Sequence, residues 1–305
     1  MSDHVLVGIA LDDHDAAPIG LGRALARLTT RRLALLHAYP YEPLTMREPE
    51  YDEDLRERAE EGLARLAESI DDDDLEVRLH TFPRLSAARA LQEAAEQIGA
   101  VAVVVGSSRL EGLRKVVAGR TGERLLAGAP CPVGITPGGP PDPDAGLEQM
   151  GVAYDGSPEA DDALQLGITL ARAAKATLTT YTVFEPVESA PAMTTPGWVV
   201  PQSYIEDHRA QAEQAARRAK ERVPRDLLAG TVLLTGDAAL VLAEVSAELG
   251  LLICGSRGYG PLRAVLLGSV SARLVRSAAC PLLITPRGHG EKLVAHTPST
   301  VGFHT

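Results

Sequence analysis

Leu251-Leu252-Ile253-Cys254-Gly255-Ser256-Arg257-Gly258-Tyr259-Gly260 runs from four apolar residues straight into a glycine-rich loop. An earlier stretch, Val103-Val104-Val105-Gly106-Ser107-Ser108-Arg109, has the same shape. Further on, Ala129-Pro130-Cys131-Pro132-Val133-Gly134-Ile135-Thr136-Pro137 returns as Ala278-Ala279-Cys280-Pro281-Leu282-Leu283-Ile284-Thr285-Pro286. Gly106 and Gly255 stand 149 residues apart, as do Cys131 and Cys280. Between these anchors, without a gap, Leu113-Arg114 matches Leu262-Arg263, Gly119 matches Gly268 and Arg124-Leu125 matches Arg273-Leu274. Upstream the register shifts by a few residues, so that 5–10 pairs with 150–153 and 33–39 with 178–184. A period this long is a duplicated domain and not a solenoid unit.

The boundary between the copies is Pro137-Gly138-Gly139-Pro140-Pro141-Asp142-Pro143-Asp144-Ala145-Gly146. Proline lacks the amide that a helix or a ladder needs, so this run reads as a linker. The predicted organisation is a first domain over 1–137, a linker over 138–147, a second domain over 148–287 and a loose tail over 288–305. In the second domain the pattern predicts strands at 149–154, 177–184, 228–235, 251–254 and 282–285. Helices alternate with them at 159–175, 204–222, 238–249 (capped by Asp237 or a neighbour) and 269–277. Short apolar strands separated by amphipathic helices imply a parallel sheet covered on both faces. Right-handed crossovers make it doubly wound, with any ligand at the carboxyl ends of the strands.

Composition narrows the function. A net charge of −11 and few aromatics (three Phe, one Trp, seven Tyr) argue against nucleic-acid backbones and base-stacking platforms. Apolar runs such as 101–105 are far too short for a bilayer, and no secretory signal is visible at the start. Cys131, Cys254 and Cys280 make neither a metal spacing nor a disulfide framework. A cytoplasmic location is expected, with no membrane or nucleic-acid partner.

The glycine loop suits an anion. Glycines let backbone amides approach phosphate without an intervening Cβ. Ser269, read as the cap of the helix after Gly268, would leave the amides of Ser269, Val270 and Ser271 facing negative charge. Arg257, Arg263 and Arg273 add local positive charge. There is no Walker A run and no six-residue dinucleotide fingerprint, and taken locally the loop also fits a tight strand–helix turn with an ordinary cap.

The spacing Gly255-x2-Gly258-x9-Gly268-Ser269 resembles the ATP-binding signature of the universal stress protein family. Val152-Ala153-Tyr154-Asp155-Gly156-Ser157 resembles its first strand and loop, and Leu267-Gly268-Ser269-Val270-Ser271 with Ala279-Cys280-Pro281 its close. The likeness spans 148–287, and the internal repeat extends it to the first half. The chain thus looks like a tandem universal stress protein. The resemblance implies two flavodoxin-like (adenine nucleotide alpha hydrolase-like) α/β domains, each with a five-stranded parallel doubly wound sheet. It implies ATP with a divalent ion such as Mg2+. Ala153, Tyr154 and Asp155 would border adenine and ribose, Val183 would contact adenine through its backbone, and Gly255 would lie against the ribose. Gly258, Gly268, Ser269 and Val270 would hold the phosphates, with Ser256, Arg257 and Ser271 in the same site. It also implies pairing of the two final strands within one chain, a further homodimer and a protein partner. Asp155 in Asp-Gly-Ser-Pro is also a good Asx-turn residue, but a turn alone would not require the distant glycine pattern, which favours the binding role.

The first half departs from the pattern: Arg109 stands where Gly258 does, and Arg120 replaces Ser269. The loop Leu11-Asp12-Asp13-His14 keeps an acid but loses the glycine-serine. The first half is therefore expected not to bind ATP in the family manner. Arg109 and Arg120 would fill the site and pair with Asp12 or Asp13, or hold a different anion. Asp71–Asp74 reads as a solvated turn, the histidines show no metal spacing, and Ser157 and Ser256 have no histidine-acid partners for a triad. With no general base apparent, binding is expected over turnover. Slow metal-dependent ATP hydrolysis and a scaffold that binds no nucleotide are the competing readings.

Overall fold

The computed structural model describes residues 4–40, 49–70, 75–107, 120–138, 147–186, 201–256 and 268–286, with only the main chain at 49–51 and 120. The predicted linker core, tail and Asp71–Asp74 turn lie outside the described residues, as do Arg109, Arg257, Gly258 and Arg263.

The first half runs β1 (His4–Ile9), α1 (Ala16–Thr29), β2 (Arg32–Tyr39), α2 (Pro49–Glu68), β3 (Val77–Pro83), α3 (Ala87–Gln97), β4 (Ala100–Gly106), α4 (Arg120–Leu126) and β5 (Val133–Thr136). The second repeats the alternation: β6 (Gln149–Ala153), α5 (Pro158–Ala174), β7 (Thr177–Phe184), α6 (Gln202–Arg222), β8 (Leu228–Thr235), α7 (Ala238–Val245), β9 (Leu251–Gly255), α8 (Ser269–Leu274) and β10 (Leu282–Thr285). The local signals are ordinary ones. In α5, Ser157 Oγ accepts the Ala160 amide at 3.2 Å, Pro158 opens the first turn beside Glu159 and Asp161, and Arg172 sits in the last turn.

The strands form one ten-stranded sheet in the order β3-β2-β1-β4-β5-β10-β9-β6-β7-β8. Pairing is parallel within each half. The halves meet antiparallel, Leu282 opposite Ile135 and Ile284 opposite Val133, so the expected pairing of the two final strands is a feature of the fold. One apolar cluster covers each face of the sheet, and each holds residues of both halves.

The duplication reaches individual contacts. Gly22 of α1 and Gly167 of α5 stand 145 residues apart, as do Val7 and Val152. A Cβ on Gly22 would lie 2.4 Å from Val7 Cγ2, and one on Gly167 2.6 Å from Val152 Cγ2. Each helix thus lies on its sheet at a distance only glycine permits. Two sequence expectations need correction. The helix at 238–249 stops at Val245 and finishes as a 3-10 turn, Ser246–Glu248. The helix at 269–277 ends at Leu274, and its cap is Gly268, in extended conformation; Ser269 is its first helical residue and no side chain caps it. The helix therefore begins one residue earlier than a serine cap requires.

Candidate functional site

In each half the strand order is 3-2-1-4-5, reversing direction between β1 and β4 and between β6 and β9. The loops leaving the carboxyl ends of those strands diverge and leave a crevice, the usual ligand position in an open α/β sheet. The second-half crevice brings together Ala153, Tyr154, Asp155, Val183, Gly255, Gly268, Val270 and Ser271, contributed by β6, β7, β9 and the α8 end. Of the other predicted residues, Ser256 is fully buried and Ser269 exposed, and neither lines the crevice. Sequence reasoning did not single out Tyr181, Glu185, Ala238 or Leu242, which also line it, and it read Cys254, another lining residue, as packing beside the loop. Their only signal is position: Tyr181 and Glu185 flank Val183, and Cys254 precedes Gly255.

Asp155 plays the turn role as well: its Oδ1 accepts the Ser157 amide at 2.9 Å, and Gly156 follows at φ +80. Tyr154 is 3% exposed, and its hydroxyl donates to Asp161 Oδ1 at 2.6 Å. Burial and that bond push the phenol up to about 12. Burial alone would raise the Asp161 carboxyl, but the Arg222 guanidinium and the Tyr154 hydroxyl outweigh it and hold Asp161 below its ordinary value. This ties the last turn of α6 to the first turn of α5 behind the crevice. On the opposite wall, Asp237 accepts the Leu240 amide at 3.1 Å as cap of α7 and pairs with Arg273 of α8 at 2.6 Å. The Arg273 hydrogen bond holds its carboxyl low. Glu185 Oε1 accepts the Ala238 amide at 2.7 Å.

All three cysteines are free and buried, Cys131, Cys254 and Cys280 at 1%, 4% and 4% exposure. Burial pushes the Cys254 and Cys280 thiols up to about 12, so the thiolate is scarce at neutral pH. At pH 8 a thiol reagent is expected to find none of the three quickly in native protein and all three after unfolding. Rapid reaction of one native thiol would contradict a packing role.

The first half has a matching crevice, and it is larger, about 620 Å³ against about 140 Å³. Sheet register supplies the correspondence: Gly8 pairs with Leu36 as Ala153 pairs with Tyr181. Gly8, Leu36, Ala38 and Gly122 then stand where the second half has Ala153, Tyr181, Val183 and Ser271, and every exchange is to a smaller side chain. The helix approach differs too. A Cβ on Gly255 would lie 2.5 Å from the Glu159 carbonyl oxygen, whereas one on Gly106 would lie 3.9 Å from that of His14. The first-half loop carries Asp12, Asp13 and Asp15, and Asp12 makes the turn contact that Asp155 makes, its Oδ1 accepting the His14 amide at 3.0 Å. Asp15 is spent locally, accepting the Ala10 and Asp12 amides at 2.8 and 3.0 Å. The expected pairing of Arg109 and Arg120 with Asp12 or Asp13 lies outside the described side chains.

Among the described residues no helix is long and apolar enough to cross a membrane, and no group of three or more His, Cys, Asp or Glu side chains could hold a metal ion.

The model of the Universal stress protein family matches residues 1–137 and again 147–286, and the chain belongs to this family as a tandem member. It is 30% identical over 170 residues to a universal stress protein of Mycobacterium tuberculosis, covering 50% of this chain and 52% of that one. The chain thus spans about half the length of the mycobacterial relatives it matches. It is 29% identical over 145 residues to universal stress protein YxiE of Bacillus subtilis, covering 45% of this chain and 98% of that one. The crystal structure of a universal stress protein from Archaeoglobus fulgidus superposes with a TM-score of 0.64 at 20% identity, covering 94% of this chain and 97% of that one. That likeness is one of fold.

Proposed function

We propose that the second half binds ATP in the β6–β9 crevice and that the chain works in the cytoplasm as a nucleotide-dependent stress-response module. The observation that carries this reading is convergence: eight residues singled out along the sequence, from Ala153 to Ser271, line one crevice at a topological switch point. Acceptors at Asp155 and Glu185 suit the hydroxyl and amine donors of a nucleoside, and Tyr154 and Val183 offer apolar surface to a base. A divalent ion entering with the triphosphate would take most of its ligands from phosphate and water, since the described side chains offer no cluster of their own. Asp155 and Glu185 are both engaged by backbone amides, which supports binding with slow or no hydrolysis.

Equilibrium dialysis of the full chain with labelled ATP and Mg2+ tests this. One site per chain is expected, weakened at least tenfold by Gly258→Arg, which copies Arg109, with folding followed by circular dichroism. No binding, two equal sites, or survival of binding in the folded variant would each overturn the assignment. Phosphate release measured alongside distinguishes storage from turnover. Light scattering of the same samples tests the homodimer we infer from family resemblance; a monomer at every concentration rejects it.

A further inference from the structure

We propose that two copies of this chain join through β8, edge to edge and antiparallel, so that their sheets become one. This assigns a surface to the homodimer inferred above and rests on that inference. Among the described residues the sheet ends in β3 on one side and β8 on the other. An end strand presents main-chain donors and acceptors, and proteins guard such edges with charge or proline. The duplication makes the two ends directly comparable, because β3 pairs with β2 as β8 pairs with β7. The ladders also fix which groups face outward. The Arg84 amide donates to the Tyr39 carbonyl, and the Gly236 amide to the Phe184 carbonyl, each at 3.0 Å. Alternate residues turn their amides and carbonyls to opposite sides, so Leu79, Thr81 and Pro83 face outward on β3, and Thr231, Leu233 and Thr235 on β8.

The first-half edge is guarded. Pro83 has no amide to offer at its outward position, and Arg78 and His80 stand within the strand. Glu93 gathers Arg84 and Arg89 at 2.8 and 2.9 Å where the strand gives way to α3. The second-half edge is bare. The eight residues of β8 include no charge and no proline, and none of them is buried. Gly230, Val232 and Thr235 stand where β3 has Arg78, His80 and Pro83. Leu233 is 37% exposed, and Leu240, which takes the place of Arg89 in the first turn of the following helix, is 56% exposed. The occupant is a second copy because that pairing closes on itself. A twofold axis perpendicular to the sheet at Leu233 sets Leu233 against its own image and Thr231 against Thr235 of the partner subunit, outward group to outward group. Val232 then meets Leu234 of the partner subunit, and no charge is buried. Pairing β8 with β3 of another copy would run on without closing, and Pro83 and Arg78 oppose it. The chain already joins its own halves by an antiparallel pairing of this kind, β5 with β10.

Sedimentation of the full chain over a dilution series is expected to show a monomer–dimer equilibrium. Thr235→Pro copies Pro83, and Leu233→Lys sets a charge against its own image at the axis. Each is expected to weaken the dimer at least tenfold, whereas Thr81→Lys, the equivalent of Leu233→Lys on β3, should leave it unchanged. Circular dichroism and the thermal transition establish that the variants fold. Hydrogen exchange gives a reading that needs no variant: the amides of Thr231, Leu233 and Thr235 should be protected in the dimer and exchange on dilution. A dimer that survives both folded variants, or edge amides that exchange freely within it, rejects this surface and leaves the homodimer standing. A monomer at every concentration rejects both. Edge amides protected in the monomer would mean that β8 is covered from within its own chain, and that result also overturns the proposal.

Discussion

Gly255→Ala is expected to destabilise the second half by about 1–3 kcal/mol, while Gly106→Ala, the same change in the first half, is expected to be neutral or slightly stabilising. The two glycines occupy equivalent places at the ends of β9 and β4, yet they face different surroundings. A Cβ at 255 would sit 2.5 Å from the Glu159 carbonyl oxygen and 2.6 Å from its carbon, both backbone atoms. No rotamer change relieves that contact; the first turn of α5 has to move. That turn carries Ser157, Glu159 and Asp161, so movement also disturbs the Tyr154–Asp161–Arg222 contact and the crevice wall. At 106 the nearest atoms are Pro18 Cγ at 3.6 Å and Cδ at 3.7 Å, ordinary van der Waals distances. There alanine mainly restricts the unfolded chain, which favours folding by about 0.4–1 kcal/mol. Urea denaturation of both variants, followed by circular dichroism, checks the sign of the difference. Equal losses at the two positions would show that the closer approach of α5 is not what demands glycine at 255.

That comparison also shows where sequence reasoning stops. Gly255 was legible as a glycine with a purpose, but the purpose read from sequence was room for a ribose. The structure adds a second one, room for the Glu159 carbonyl, which no local pattern encodes because α5 begins nearly a hundred residues earlier. The repeat, the alternation of strands and helices and the switch point were all legible, since each rests on short-range periodicity or an ungapped offset. Aligning acid with acid equates Asp12 or Asp13 with Asp155, and Asp12 makes the same turn contact, its Oδ1 accepting the His14 amide as that of Asp155 accepts the Ser157 amide. The make-up of the first-half cavity was invisible because its lining residues, Gly8, Leu36, Ala38 and Gly122 among them, lie on separate elements that meet only in three dimensions.

The two halves are expected to unfold together in one cooperative transition, and Leu283→Pro is expected to split it in two. Leu283 is fully buried at the centre of the seam, paired with Gly134 of β5 on one side and Ile253 of β9 on the other. Proline there removes the amide that β10 turns toward β9, on the side where the Pro281 and Thr285 carbonyls accept from Leu252 and Ser256, and much of a buried side chain, distorting the strand that forms the seam at a cost on the order of 3 kcal/mol. The reason this should reach beyond the second half is the continuity of the core. The cluster on one face contains Val5, Leu21 and Leu25 together with Met150, Leu166 and Leu283, and that on the other joins Val133 and Ile135 to Leu252 and Leu282. Separating the halves would expose this surface on both, so neither half gains by unfolding alone while the seam holds. The surface pair Arg276–Glu123, which also bridges the halves at 3.0 Å, is exposed and screened by water. Arg276→Ala should therefore leave the single transition in place. Urea unfolding with an intrinsic and a far-ultraviolet probe separates the cases. In wild type the two curves should coincide, with an m-value appropriate to the whole chain; in Leu283→Pro they should separate. Two resolved transitions in wild type would mean that the seam joins domains that are already stable apart. The ten-stranded sheet would then couple the two crevices weakly, and occupancy of one would not be felt at the other.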